Sequence, residues 1–400
     1  MDFELPPALR DVRKRVRVFV EEKIVPIEEA ATSADARGDR TVLEALRNEA
    51  KAAGLYVPHL PEAYGGMGLG VMGMCALFRE MGRSPLGPWV FNCDAPDQGN
   101  MDLLLRFGSE AQKAEWLSPL AEGTITSAFC MTEPAPGAGA DPSNLRTRAT
   151  AEADGTFRLE GHKWYSTGGR DASVLLVMAR TSDHPQTGAT LFAVPRRQEG
   201  VEYIREIPTM TEPLLSHREA EFRFHGVRLT ESQIVGGLGQ GFRLAQARLV
   251  PARLTHCMRW LGLADRALSM CKAYAATRES FGKTLVHHQL ILKKFADNAR
   301  AIHVGNLMTL HAASLIDENE SGSKQAKPYA SMAKNHVAQT LCQVLDDAIQ
   351  MHGGLGYSDD MPFARWYRFA RAARIADGPD EVHDASVGRD YLRGAFETLF

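Results

Sequence analysis

ATAEADGTFRLEGHKWYS, residues 149–166, alternates apolar and polar side chains on either side of Asp154-Gly155. A period of two marks half-buried strands, and Asp-Gly suits the tight turn of a hairpin. The stretch predicts two antiparallel strands. Outward from it, VLLVMAR (174–180), ATLFAVP (189–195, stopped by Pro195) and EAEFRFHGVRL (219–229) extend the same reading. A β domain therefore sits in mid-chain.

On both sides the period is helical. Val12, Val16, Phe19 and Val20 form a stripe that Pro26 is expected to stop. TVLEALRNEAKAAGLYVPHLP (41–61) repeats the pattern up to Gly54, and EAYGGMGLG (62–70) reads as a loop. Helices are predicted over Val71–Met81 and Gly99–Phe107. From Gly241 an apolar stripe runs through Leu254, Met258, Leu261, Leu268 and Cys271. Long helices suit 288–316 and 327–351, with Gly353-Gly354 as the closing cap. The expected fold is α+β and multidomain: an N-terminal helical domain (1–125), a β-barrel-like middle domain (126–239) and a C-terminal four-helix bundle (240–400).

Composition adds exclusions. The 400 residues are 44% hydrophobic and 24% charged, with a net charge of -3. That balance gives no electrostatic reason to expect nucleic acid. No apolar run approaches the ~20 residues of a membrane span. MDFELPPALRDVRKRV lacks the order of a secretory signal, and the six cysteines include no CxxC. The thirteen histidines form no ligand spacing beyond His287-His288, whose side chains diverge on a helix. A metal-free, cytoplasmic protein is expected. GGLGQGF (236–242) does not fit GxGxxG and lies outside any βαβ pattern, so it reads as the loop leaving the β domain.

RIADGPDEVHD (374–384) carries four carboxylates: Asp377, Asp380, Glu381 and Asp384. Gly378-Pro379 can open a helix with proline in its first turn, and acids favour the positive end of the helix dipole. On that reading all four are capping or solvated. FCMTEPAPGAGAD (129–141) reads as a strand end followed by small residues, which lets backbone approach a flat ligand.

FCMTEPAPGAGAD is similar to the acyl-CoA dehydrogenase signature, a hydrophobic pair followed by T-E-P-G-A-G-S-D. RESFGKTLVHHQ (278–289) and QMHGGLGY (350–357) resemble the family's second and third patterns, in the right order. NCDAPDQGNMDLLLRFG (92–108) and ADGPDEVH (376–383) resemble the branch of family members ten and eleven. This chain has no room for the extra domains of those proteins, so the dehydrogenase module alone is expected.

The resemblance implies noncovalent FAD. Phe129, Met131 and Thr132 would lie along the isoalloxazine ring, with Tyr165, Ser166 and Thr167 on its other side. Arg278, Phe281, Gln289, Gln350, Gly353 and Gly354 would grip FAD of a neighbouring subunit, in a homodimer or homotetramer. Arginine suits pyrophosphate through planar, charge-assisted hydrogen bonds. Two departures stand out. Ala140 replaces the usual serine at the acyl-CoA, and Pro379 and Glu381 replace a threonine and a glutamine. Glu381 is kept as an adenosine contact.

The implied reaction removes a proton next to the thioester and a hydride from the next carbon. It needs a carboxylate base and hydrogen bonds to the enolate oxygen. Aligning IADG with the family's IYEG puts Asp377 at the base position, followed by Gly378. Some members place the base one residue before a buried arginine, but here Ala252 precedes Arg253. Arg253 would orient the end of its helix. Electrons would pass to an electron-transferring flavoprotein. A flavin oxidase resembling nitroalkane oxidases, which also use aspartate here, and a non-catalytic paralogue are the alternatives.

Overall fold

The computed structural model describes residues 5–184, 187–210, 214–215, 217–318, 322–394 and 396. The chain forms two compact units. One, the bundle unit, comprises Met1–Glu29, Leu69–Pro88 and Val250–Phe400; the other, the sheet unit, comprises Ala30–Gly68 and Trp89–Leu249.

Among the described residues of the sheet unit, seven strands form one mixed sheet: β1 (Ser127–Cys130), β2 (Arg148–Ala151), β3 (Phe157–Thr167), β4 (Val174–Arg180), β5 (Ala189–Pro195), β6 (Val201–Glu206) and β7 (Glu219–Leu229). The Asp154-Gly155 hairpin pairs β2 with β3, Ala151 facing Phe157. β1 runs parallel to β4, β5 flanks β4 antiparallel, and β3, β7 and β6 follow antiparallel in that order. β4 explains its own sequence. Leu175, Val177 and Ala179 enter one apolar cluster, and Val174, Leu176 and Met178 enter another. A strand buried on both faces has no polar side to alternate with.

In the bundle unit, the helices Gln289–Asp317 and Gly322–His352 pack along each other, pinned by Lys294 and Asn298 on Asp347. Gly353 closes the second at φ +62°, its N–H on the Ile349 carbonyl. The helix Val71–Met81 has the predicted bounds. Its end meets the 37-residue helix Gly241–Thr277 backbone to backbone. A Cβ on Gly82 would stand 2.2 Å from the Arg259 carbonyl oxygen, and one on Gly262 2.0 Å from that of Arg79.

Pro26 does not stop the first helix. Pro7–Phe19 continues through a π turn (Val20–Ile24) and a 3₁₀ turn (Val25–Ile27) into Glu28–Ala36. These irregular turns accommodate the missing N–H, while Phe19, Val20 and Ile24 stay buried. Pro251 lies inside Gly241–Thr277. Proline there cannot donate to the Ala247 carbonyl, which instead accepts from Arg106 Nη1 at 3.3 Å.

Candidate active site

The sequence-derived site residues fall into three groups. The first is the loop after β1. Phe129, Met131 and Thr132 are half-buried, and the Arg248 guanidinium lies 4.3 Å from the Phe129 ring centre. Arg248 is buried and donates to Asn100 at 2.8 Å, which donates to Ser127 at 2.9 Å, so β1 is fixed at its root. Asp97 accepts the Ser127 N–H; burial pushes its carboxyl up to about 6, against the pull of the Ser127 bonds.

The loop turns around Glu133, which the sequence reading did not single out. Its buried carboxylate accepts main-chain N–H groups of Ala138 (3.1 Å), Arg146 (2.8 Å) and Thr147 (2.8 Å), and Lys163 Nζ at 2.9 Å. Burial raises the carboxyl, but Lys163 and the other donors outweigh it and leave Glu133 at about 2. Lys163 is fully buried and also donates to the Met131 carbonyl. A Cβ on Gly137 would come within 2.4 Å of the Glu133 carboxylate, so this position needs glycine. Ala140 is exposed at the loop tip.

The Trp164 N–H bonds the Thr132 carbonyl at 3.1 Å, setting β3 beside the loop. Tyr165 is 46% exposed at φ +49°, edge-on to Trp164. Thr167 Oγ1 donates to Glu219 at 3.0 Å. Ser166, between them on the strand, is fully buried. A rigid edge of half-buried Phe129, Met131 and Thr132 beside outward aromatics fits a planar, amphipathic ring system.

The second group surrounds Asp377. This residue has φ +54° and Gly378 has φ +110°, so the turn uses backbone that favours glycine. Two buried cations secure it. Arg253 Nε donates to the Asp377 carbonyl at 3.1 Å, and Lys334 Nζ to the Gly378 carbonyl at 2.6 Å. Burial pulls both cations' pKa values down, opposed by Asp377 at Arg253 and by Asp380 and Asp377 at Lys334. A Cβ on Gly378 would stand 2.8 Å from His383 Nε2. Burial, then Arg253 and Lys334, push that histidine down to about 4, so it is neutral near pH 7.

The other three acids differ. Asp380 is buried, opens the helix Asp380–Leu392 and accepts from Arg374 at 2.6 Å. Asp384 accepts from Asn335, and Glu381 is exposed. Pro379 is the N-cap, one residue before the helix, where the sequence reading put it in the first turn. Its ring and extended ψ of 158° set the entry of the chain. His256 Nε2 stands 3.4 Å from Asp377 Oδ2. The sequence reading passed over this histidine, yet it lies four residues after Ala252 on the same helix face.

The third group lies at one end of the bundle. Arg278, Phe281, Gln289, Gln350, Gly353 and Gly354 are all exposed. The hairpin Glu279–Thr284 links Arg278 to the helix carrying Gln289, and Tyr274 stacks on His352 at 4.2 Å, bringing Gln350 and the glycines alongside. Phe281 is 96% exposed at φ +52°. Strained backbone thus recurs at Tyr165, Phe281 and Asp377, one in each group.

Among the described residues no cluster of histidine, cysteine and carboxylate could hold a metal, and no helix is long and apolar enough to cross a membrane. All six cysteines are free.

Models of the three acyl-CoA dehydrogenase domains match this chain: N-terminal over residues 6–124, middle over 128–225 and C-terminal over 239–392. Acyl-CoA dehydrogenase family member 10 of Mus musculus is 38% identical over 97% of the chain, which spans 37% of that relative's length. Family member 11 of the same species is 37% identical over 96%, and the chain spans 50% of it. "Probable acyl-CoA dehydrogenase FadE2" of Mycobacterium tuberculosis is 37% identical over 98% of this chain and 97% of its own. Among solved structures, butyryl-CoA dehydrogenase from Megasphaera elsdenii superposes with a TM-score of 0.84 at 30% identity, covering 98% of this chain and 100% of that one. Three domain models in order, a relative matched along its full length and the helix–sheet–helix order agree, and the chain belongs to the acyl-CoA dehydrogenase family.

Proposed function

We propose that this protein is a FAD enzyme that converts an acyl-CoA thioester to the trans-2-enoyl-CoA. The observation that carries the reading is the different fate of the four acids at 377–384. Asp380 is locked to Arg374 and Asp384 is bonded by Asn335, while Asp377 is half-buried before the helix on a turn secured through its carbonyls. In this reading Asp377 takes the proton from the carbon next to the thioester. FAD, when bound, supplies the acceptor for the hydride leaving the next carbon. Phe129, Met131 and Thr132 hold the ring on one side, Tyr165, Ser166 and Thr167 line the other, and Arg253 fixes the turn. Ala140 and Gly378 border the acyl-CoA.

Arg278, Phe281, Gln289, Gln350, Gly353, Gly354 and Glu381 meet FAD of a second copy, in a homodimer or homotetramer. Their joint exposure supports this assignment. The electrons pass to an electron-transferring flavoprotein, and the free thiols suit the reducing cytoplasm. The test is anaerobic: purified yellow protein is mixed with a panel of acyl-CoAs and its flavin absorbance followed. Bleaching by at least one thioester, with slow recovery in air, is expected. Fast reoxidation by air would favour the oxidase reading, and no bleaching by any thioester would remove the dehydrogenase one.

A further inference from the structure

Asp377 is one methylene shorter than the glutamate usual at its position, so its aim depends more heavily on its surroundings. His256 stands where it can set that aim. Its Nε2 is 3.4 Å from Asp377 Oδ2, and its side chain is 18% exposed beside the carboxylate's 21%. The ring stacks on Trp260, with centroids 5.3 Å apart, which fixes its plane. Arg259 Nη2 lies 3.1 Å from its Nδ1. A guanidinium can only donate, so Nδ1 is the acceptor and the proton sits on Nε2, facing Asp377. At 3.4 Å the two atoms face each other without a hydrogen bond between them, and catalytic hydrogen bonds commonly form or tighten once the reactant is in place.

Resting on the assignment of Asp377 as base, we infer that His256 is a positioning residue: as the Nε2–H tautomer fixed by Arg259, it donates to Asp377 and turns the carboxylate towards the substrate. It takes no proton itself. Nδ1 is occupied by Arg259 and Nε2 already carries hydrogen. The position matters for another reason. On the helix Gly241–Thr277, Ala252 fills the place where some relatives carry the base, and His256 follows one turn later on the same face. The helix thus contributes a donor to Asp377 one turn from the place where it would otherwise contribute a carboxylate.

Charges around the pair bear on any pH effect. Arg253 and Arg259 come from the same helix, Lys334 from Gly322–His352, and His383 and Asp380 from Asp380–Leu392. None of these changes in the test below. His256→Gln places an amide N–H close to Nε2 and can still donate to Asp377. His256→Asn reaches only as far as Nδ1 and cannot. Both variants are polar and similar in size, and flavin absorbance reports whether each is folded and loaded.

Anaerobic flavin reduction by a saturating acyl-CoA is measured against pH. His256→Gln is expected within about threefold of wild type, since the donor is restored. His256→Asn should slow reduction about tenfold to hundredfold, with FAD content unchanged. Its acid limb should move up by about one pH unit, because losing a donor destabilises the ionised carboxylate. Equal rates and equal acid limbs for the two variants, whether fast or slow, would overturn the inference. Failure of the base assignment looks different: Asp377→Asn would then reduce its flavin at the wild-type rate.

Discussion

Around Glu133 a buried carboxylate gathers main-chain N–H groups, whereas around Asp377 two buried cations gather main-chain carbonyls. The first arrangement closes on itself. Lys163 neutralises Glu133 at 2.9 Å, so the loop Thr132–Thr147 is fixed in shape and adds little net charge. The second stays electrically open. Arg253 and Lys334 spend their hydrogen bonds on neutral carbonyls, and their charge is left to act on the nearby carboxylates. One region supplies form and the other supplies potential.

The largest effect should come from breaking the second region. Asp377→Asn keeps the turn, because Arg253 and Lys334 bond carbonyls that remain, and it removes the charge. Flavin reduction by acyl-CoA should slow by roughly 10²–10⁴-fold, while FAD stays bound; stopped-flow absorbance checks both. Asp380→Asn and Asp384→Asn should lose less than about tenfold, the range of a helix-end charge.

Breaking the first region should cost stability before chemistry. Glu133→Gln leaves Lys163 buried without its counter-ion, a loss of about 3–5 kcal/mol. Adding Lys163→Met should recover part of it, so a denaturant series on both single variants and the double sharpens the contrast. The same carboxylate predicts acid behaviour. Its folded pKa of about 2 lies below the ordinary 4.5, so its contribution is complete above pH 4.5 and lost as pH falls towards 2. Wild-type stability should therefore slope through that window, and Glu133→Gln should flatten it.

Outside both regions, Arg278→Ala should weaken FAD retention and subunit association together, by roughly tenfold to hundredfold. Ultrafiltration and sedimentation measure the two. Ala140→Ser, at the exposed tip of the first loop, should change FAD content and the Michaelis constant by less than about twofold, as surface substitutions usually do.

How much of this could be read in the sequence depended on distance along the chain. β4 and β5 were legible to the residue, because Val174–Arg180 and Ala189–Pro195 are short apolar runs bounded by turn residues. The Asp154-Gly155 hairpin is equally local. Pro26 misled because the missing N–H was absorbed by π and 3₁₀ turns, which carry no sequence periodicity of their own. In the candidate site, Asp377 and Arg253 were legible only through family resemblance. Lys334, His256 and Lys163 act across folded distance: Lys334 is 44 residues from its carbonyl at Gly378, and Lys163 is 30 from Glu133. No local pattern announces such partners.

The contact of Gly82 with Arg259, and of Gly262 with Arg79, works as a mechanical detent. Two peptide backbones that touch directly leave neither helix free to slide or roll past the other, since any slip drives an α-carbon into a carbonyl. Arg259 sits at that stop and His256 one turn before it, so the angular setting of the imidazole is read off the end of Val71–Met81. A methyl group at either glycine would act as a shim, pushing the helices apart and re-aiming a side chain that it never touches.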